Sequence, residues 1–74
     1  MRKKNISKER LKIVRGLRKE GDRIEFPMTL YNKLTKAVNE ENNRARLKGI
    51  VGLKDQLYSI RKIDDKRFYV IRIN

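Results

Sequence analysis

Apolar residues recur at Leu11, Val14 and Leu17, with Ile6 and Ile13 at their edge, the spacing of one stripe along a helix. Ser7 offers a cap, Ile6 and Leu11 have the separation of a hydrophobic staple, and Gly21 offers a stop. A helix is therefore predicted from Lys8 to Glu20. Arg23, Ile24, Glu25 and Phe26 alternate polar and apolar until Pro27 removes a ladder donor, which predicts a short strand with Ile24 and Phe26 facing inward. Thr29 can cap a second helix, whose apolar face Leu30, Leu34, Ala37, Val38 and Ala45 reaches Lys48 before Gly49 stops it. Its outer side, with Lys33, Lys36, Asn39, Glu40, Asn42 and Asn43, reads as a mixed surface, and Tyr31 as an edge of the core. Ile50, Val51, Gly52 and Leu53 form a connector.

The segments Gln56 to Ile63 and Phe68 to Ile73 are rich in β-branched and aromatic residues around a polar turn, Asp64 to Arg67, and so predict a hairpin. Setting Ile63 opposite Phe68 pairs Lys62 with Tyr69, Ile60 with Ile71 and Tyr58 with Ile73 as the core face. The other face then carries Ile63 with Phe68, Arg61 with Val70 and Ser59 with Arg72. Arginines and an aromatic ring interleaved on a strand surface can hold phosphates and stack bases. The reading preferred for that face is burial of Phe68, Ile63 and Val70 against the first helix or a second subunit, with the arginines at the rim.

These elements make an α+β fold: an N-terminal helix, then β-α-β-β with a small three-stranded antiparallel sheet. Residues 1–74 form one domain, comprising an arm (1–6), a basic amphipathic helix (7–20) and a core (23–74). The second helix is expected on the Ile60 and Ile71 face, with the first helix covering the opposite face or projecting.

Charge changes the picture from fold to partner. Lys and Arg number 21 against 9 Asp and Glu, a formal +12 on 74 residues. That exceeds the magnitude of about 2 to 8 that solubility needs, so the chain is expected beside a polyanion. Nine basic residues against three acidic ones up to Asp22 carry +6 of this charge. On the first helix Lys8, Lys12, Arg15 and Lys19 fall in one row, a ridge of about 17 Å suited to a phosphate backbone. Neighbours of like sign in that row cost a few tenths of a kcal/mol per pair, so solubility alone accounts for it poorly. Arg2, Lys3 and Lys4 make a supplementary arm, and Arg61, Arg72, Lys66 and Arg67 a second patch. The expected partner is nucleic acid, DNA rather than RNA and duplex before single strand, with little base readout, since no amide or arginine lies on a clear recognition helix.

The absence of cysteine and histidine removes disulfides, thiol chemistry and nitrogen or sulfur metal ligands. The carboxylates fall in a turn, as the Glu40-Glu41 pair or singly, so no catalytic residue, metal site or cofactor is expected, and the chain is read as not an enzyme. No apolar run suits a signal peptide or a membrane span, which predicts an intracellular, cytoplasmic protein.

Arg23 to Pro27 (RIEFP), Tyr58 to Asp64 (YSIRKID) and Phe68 to Ile73 (FYVIRI) resemble a group of short basic proteins of bacterial viruses. Those have a strand ending in Phe-Pro, one helix and a closing hairpin with an Arg-Lys-x-Asp turn. The similarity covers about 50 of the 74 residues; Ile71 stands where many of the group carry Trp, and residues 50–55 look like an insertion. It implies a virus-encoded accessory protein acting in the host cytoplasm and transfers no functional residue. Ile24 to Leu34 is also similar to the start of ribbon-helix-helix repressors, which implies a strand paired with a dimer mate in the major groove and a second helix over Arg44 to Val51. A third reading is a viral effector that docks an acidic host protein, and a homodimer remains open.

Overall fold

A computed structural model describes residues 8–74. The Arg2, Lys3 and Lys4 arm, the Ser7 cap, Ile6 and the Lys8 side chain lie outside the described residues. The elements are α1 (Lys8–Arg15), β1 (Arg23–Pro27), a 3-10 turn (Met28–Leu30), α2 (Tyr31–Leu47), β2 (Tyr58–Lys62) and β3 (Arg67–Arg72). The fold is α+β, a helix followed by β-α-β-β with a three-stranded antiparallel sheet in the order β1-β3-β2.

The inward pairs are Ile24 with Val70 and Phe26 with Phe68 across β1 and β3, and Ile60 with Val70 and Lys62 with Phe68 across β2 and β3. The hairpin therefore differs by one residue from the predicted register, and in β3 the two faces exchange. Phe68 and Val70 are fully buried, whereas Tyr69 and Ile71 lie on the opposite face. The physical reason is a loop of three residues, not four. Asp64 Oδ1 accepts the backbone N–H groups of Lys66 (2.8 Å) and Arg67 (2.9 Å), and the Ile63 N–H donates to the Arg67 carbonyl at 3.0 Å. Ile63 thus closes on Arg67 and stays 41% exposed.

Phe68 lies at the middle of the core, stacked on Phe26 (ring centroids 5.6 Å apart) and met edge-on by Tyr31 at 5.2 Å. Lys62 extends its ammonium over the Tyr31 ring at 5.5 Å and covers that end of the core. Thr29 does not cap α2. Pro27 turns the chain into the 3-10 turn, which runs directly into the helix with no side-chain cap. At the other end the Gly49 N–H donates to Arg46 and the Ile50 N–H to Ala45, with Gly49 at φ +74°, so the expected glycine stop is a Schellman cap.

α1 ends at Arg15, before the predicted Glu20. Leu17 must reach the core, so the chain tightens: the Gly16 N–H is shared by the Lys12 and Ile13 carbonyls, and Leu17 donates to Val14. Residues 18–22 then cross to the sheet, where the Gly21 N–H donates to the Arg72 carbonyl (2.8 Å) and the Arg72 N–H to Asp22 (2.9 Å). Gly21, at φ +96°, serves entry into the sheet and not the end of the helix.

α1 neither covers the second sheet face nor projects. It packs on α2, and Val14 and Leu17 share one cluster with Leu34, Val38, Phe68 and Val70. Both helices lie on one side, which leaves the other face of the sheet uncovered. The ribbon-helix-helix arrangement is not built: β1 pairs with β3 of its own chain, and residues 44–51 are the end of α2 and a turn.

Candidate nucleic-acid interface

Of the predicted row, Lys12, Arg15 and Lys19 are all exposed, and Arg15 is also drawn to the second helix. Arg15 makes a two-pronged pair with Glu41 of α2, Nε to Oε1 at 2.8 Å and Nη2 to Oε2 at 2.9 Å, while Arg44 Nη1 approaches Oε1 at 3.5 Å. The Glu41 side chain is 2% exposed, and a carboxylate so far from water needs a hydrogen-bonded cation. The bond to Glu41 holds the Arg15 guanidinium above its ordinary pKa. Arg15 thus fastens α1 to α2. Lys19 stands beyond the helix end, its backbone N–H on Asp22 Oδ2 at 3.1 Å. Lys12 is exposed on the helix.

A different group of arginines converges on the uncovered sheet face. Side chains alternate along a strand, so the residues opposite the core are Arg67, Tyr69 and Ile71 on the central β3, Arg23 and Glu25 on β1, and Ser59 and Arg61 on β2. Tyr69 lies between Glu25 and Arg61 in the ladder. The Arg23 guanidinium sits over its ring, 5.1 Å from the centroid. An exposed contact of this type is worth about 0.5–1 kcal/mol, which a competing planar ligand can exceed. Arg67 lies 3.7 Å from Glu25 Oε1 and 3.6 Å from Asp64 Oδ2, with all three side chains at least half exposed. Such pairs contribute about 0–1 kcal/mol, so Arg67 is free to exchange partners.

Of the predicted second patch, Arg61 and Arg67 belong to this face. Lys66 is exposed in the adjoining loop. Arg72 does not join them. Its guanidinium turns under the sheet, with Nη1 on the Leu17 carbonyl at 3.2 Å and Nε on the Asn74 carbonyl at 3.3 Å, and so satisfies a carbonyl past the end of α1. Arg23 and Tyr69 were missed by sequence reasoning, although the alternation of β1 already placed Arg23 outward. Asn42, read from sequence as part of the outer face of α2, is buried, with its amide bonded to the start of β2.

The Asp64 carboxyl that shapes the adjoining loop is held below the usual carboxylate range, first by the Lys66 backbone N–H and then by Arg67. Burial pushes the Tyr58 hydroxyl above its ordinary pKa. Among the described residues no helix is long and apolar enough to cross a membrane. No protein-family model matches the chain, and no curated protein or solved structure is similar to it. The argument from this face to a function is therefore chemical: three guanidinium groups around one half-buried ring suit a ligand carrying both negative charge and a flat apolar surface.

Proposed function

We propose that the protein binds nucleic acid, DNA rather than RNA, mainly through phosphates and with little reading of base identity. The observation that carries this reading is the uncovered sheet face bearing Arg23, Arg61 and Arg67 on a chain of net charge +12. Burial of Phe68 and Val70 supports it, because an open apolar patch made by these two with Ile63, which alone of the three is exposed, would favour a protein partner instead. Lys12 on α1 and Lys66 in the hairpin loop extend the cationic surface. An accessory role in a bacterial virus is what the resemblance of β1 and the hairpin to short basic phage proteins adds.

Anisotropy titrations with duplex DNA, single-stranded DNA and RNA at 50 and 200 mM salt test this reading. Log K should fall linearly with log salt, with a slope of about −0.9 per phosphate neutralised on duplex and −0.7 on a single strand. Arg23→Gln with Arg61→Gln should flatten that slope by about one to two phosphates. Failure to bind any of the three at 50 mM sinks the reading.

One observation favours an acidic protein partner as a second reading. Leu47 (87%) and Leu53 (82%) are the most exposed large apolar residues described, and Lys48 and Lys54 adjoin them. Apolar side chains rimmed by lysines suit an acidic amphipathic surface.

A further inference from the structure

We propose that the open sheet face takes an unpaired DNA strand, with one base stacked on Tyr69 and the flanking phosphates held by Arg23, Arg61 and Arg67. This inference rests on the nucleic-acid reading above and puts an unpaired strand in place of the duplex expected from the sequence. Inside a duplex the base planes are covered by their neighbours, so an aromatic ring lying on a sheet can meet a base only where the strand is unpaired. Tyr69 is placed for that. It stands at the middle of the central strand, on the side where neither helix lies, and Ile71 continues the apolar surface along β3.

The Arg23 guanidinium lies 5.1 Å from the ring centroid, so this side of the ring is held only by an exposed side chain that a base can displace. Arg23 is exposed and reaches the ring from the diagonal position on β1, so a base that displaces it leaves its charge available to the adjoining phosphate. The distribution of charge orients the strand. Glu25 stands directly across from Tyr69 on the β1 side and repels phosphate, whereas Arg61 stands directly across on the β2 side. The backbone therefore passes along β2 beside Arg61, with Arg23 and Arg67 towards opposite ends. Neither residue directly flanking Tyr69 is a hydroxyl or amide that could donate to and accept from a ribose 2′-hydroxyl at once: Glu25 only accepts and Arg61 only donates. The face is thus suited to DNA.

The test compares the full chain with Tyr69→Phe, Tyr69→Leu and Arg23→Gln/Arg61→Gln on oligo-dT of twelve nucleotides, oligo-U of the same length and a twelve-pair duplex. Tyr69→Leu keeps an apolar side chain on the strand and guards against misfolding, which circular dichroism checks. Stacking predicts that Tyr69→Leu weakens oligo-dT binding about five- to hundredfold, while Tyr69→Phe stays within twofold of the parent. The duplex affinity should change less than twofold in either variant, and the salt slope on oligo-dT should remain that of the parent. The double arginine variant should weaken every ligand and flatten the slope. If duplex binds at least as tightly as oligo-dT, or Tyr69→Leu leaves oligo-dT unchanged, the single-strand assignment is overturned while nucleic-acid binding stands. Oligo-U bound more than tenfold tighter than oligo-dT overturns the assignment to DNA. If the parent binds none of the three, the broader reading falls.

Discussion

Asn42 joins α2 to the sheet with one side chain. Its Oδ1 accepts the backbone N–H groups of Leu57 and Tyr58, both at 2.9 Å, and its Nδ2 donates to the Tyr58 carbonyl at 3.1 Å. The amide thus stands in for a neighbouring strand where β2 begins beneath the helix, and it is 2% exposed. Truncating it leaves buried peptide groups unpaired at about 1–3 kcal/mol each. With three such groups, Asn42→Ala should therefore lower stability by about 3 kcal/mol or more in urea unfolding, with the m-value unchanged. A loss below about 1 kcal/mol would mean that water replaces the amide and that the bracket is dispensable. Neither this role nor that of Glu41 is legible in the polar run Glu40 to Asn43. Apart from Arg44, three positions from Glu41, their partners lie 15 to 26 positions away, and local spacing carries no trace of those.

At the scale of elements, the hairpin shows what alternation can and cannot decide. Phe68, Tyr69, Val70 and Ile71 are all apolar or aromatic, so β3 reads equally well on either face. The polar and apolar alternation of Arg23 to Phe26 does select a face, once β1 is paired with β3, because Ile24 and Phe26 then require Val70 and Phe68 beside them. Leu17 misled in a related way: it continues the apolar stripe of α1, yet it enters the core through a turn after the helix has ended. Strand and helix identities were readable because each has a distinct period. The register depended on Asp64, whose carboxylate draws the loop to three residues. That carboxyl is held below its ordinary pKa, so its contribution is fully present above the unfolded value of about 3.9 and disappears as pH falls through the lower folded value. Asp64→Asn keeps an acceptor oxygen and removes the titration. The difference in melting temperature between parent and variant should be constant above about pH 5 and should change only below about pH 4. A difference that changes instead between pH 6 and 8 would assign the pH sensitivity to another group.

Across the whole molecule, the placing of both helices on one side of the sheet follows from a connection that composition does not reveal. The Arg15 and Glu41 pair, together with Val14 and Leu17, draws α1 onto α2, and a cation expected to face a phosphate also neutralises a buried carboxylate while staying 44% exposed. What remains outside is a large excess of positive charge on a small two-layer body, and that excess acts on folding and on binding with opposite signs. Screening shortens the Debye length from about 10 Å at 0.1 M salt to about 3 Å at 1 M, which relieves self-repulsion but weakens attraction to phosphate. The melting temperature of the free protein should therefore rise with added sodium chloride over the range in which its affinity for DNA falls. Each kcal/mol recovered is worth about 4–8 °C in a domain of this size. DNA added at low salt should raise the melting temperature as well, since at a hundred times its dissociation constant a ligand of the folded state contributes about 2.7 kcal/mol. At high salt that increment should vanish. A free protein that melts lower as salt is added would mean that its ion pairs outweigh its net repulsion, and the excess charge would then need no polyanion to balance it.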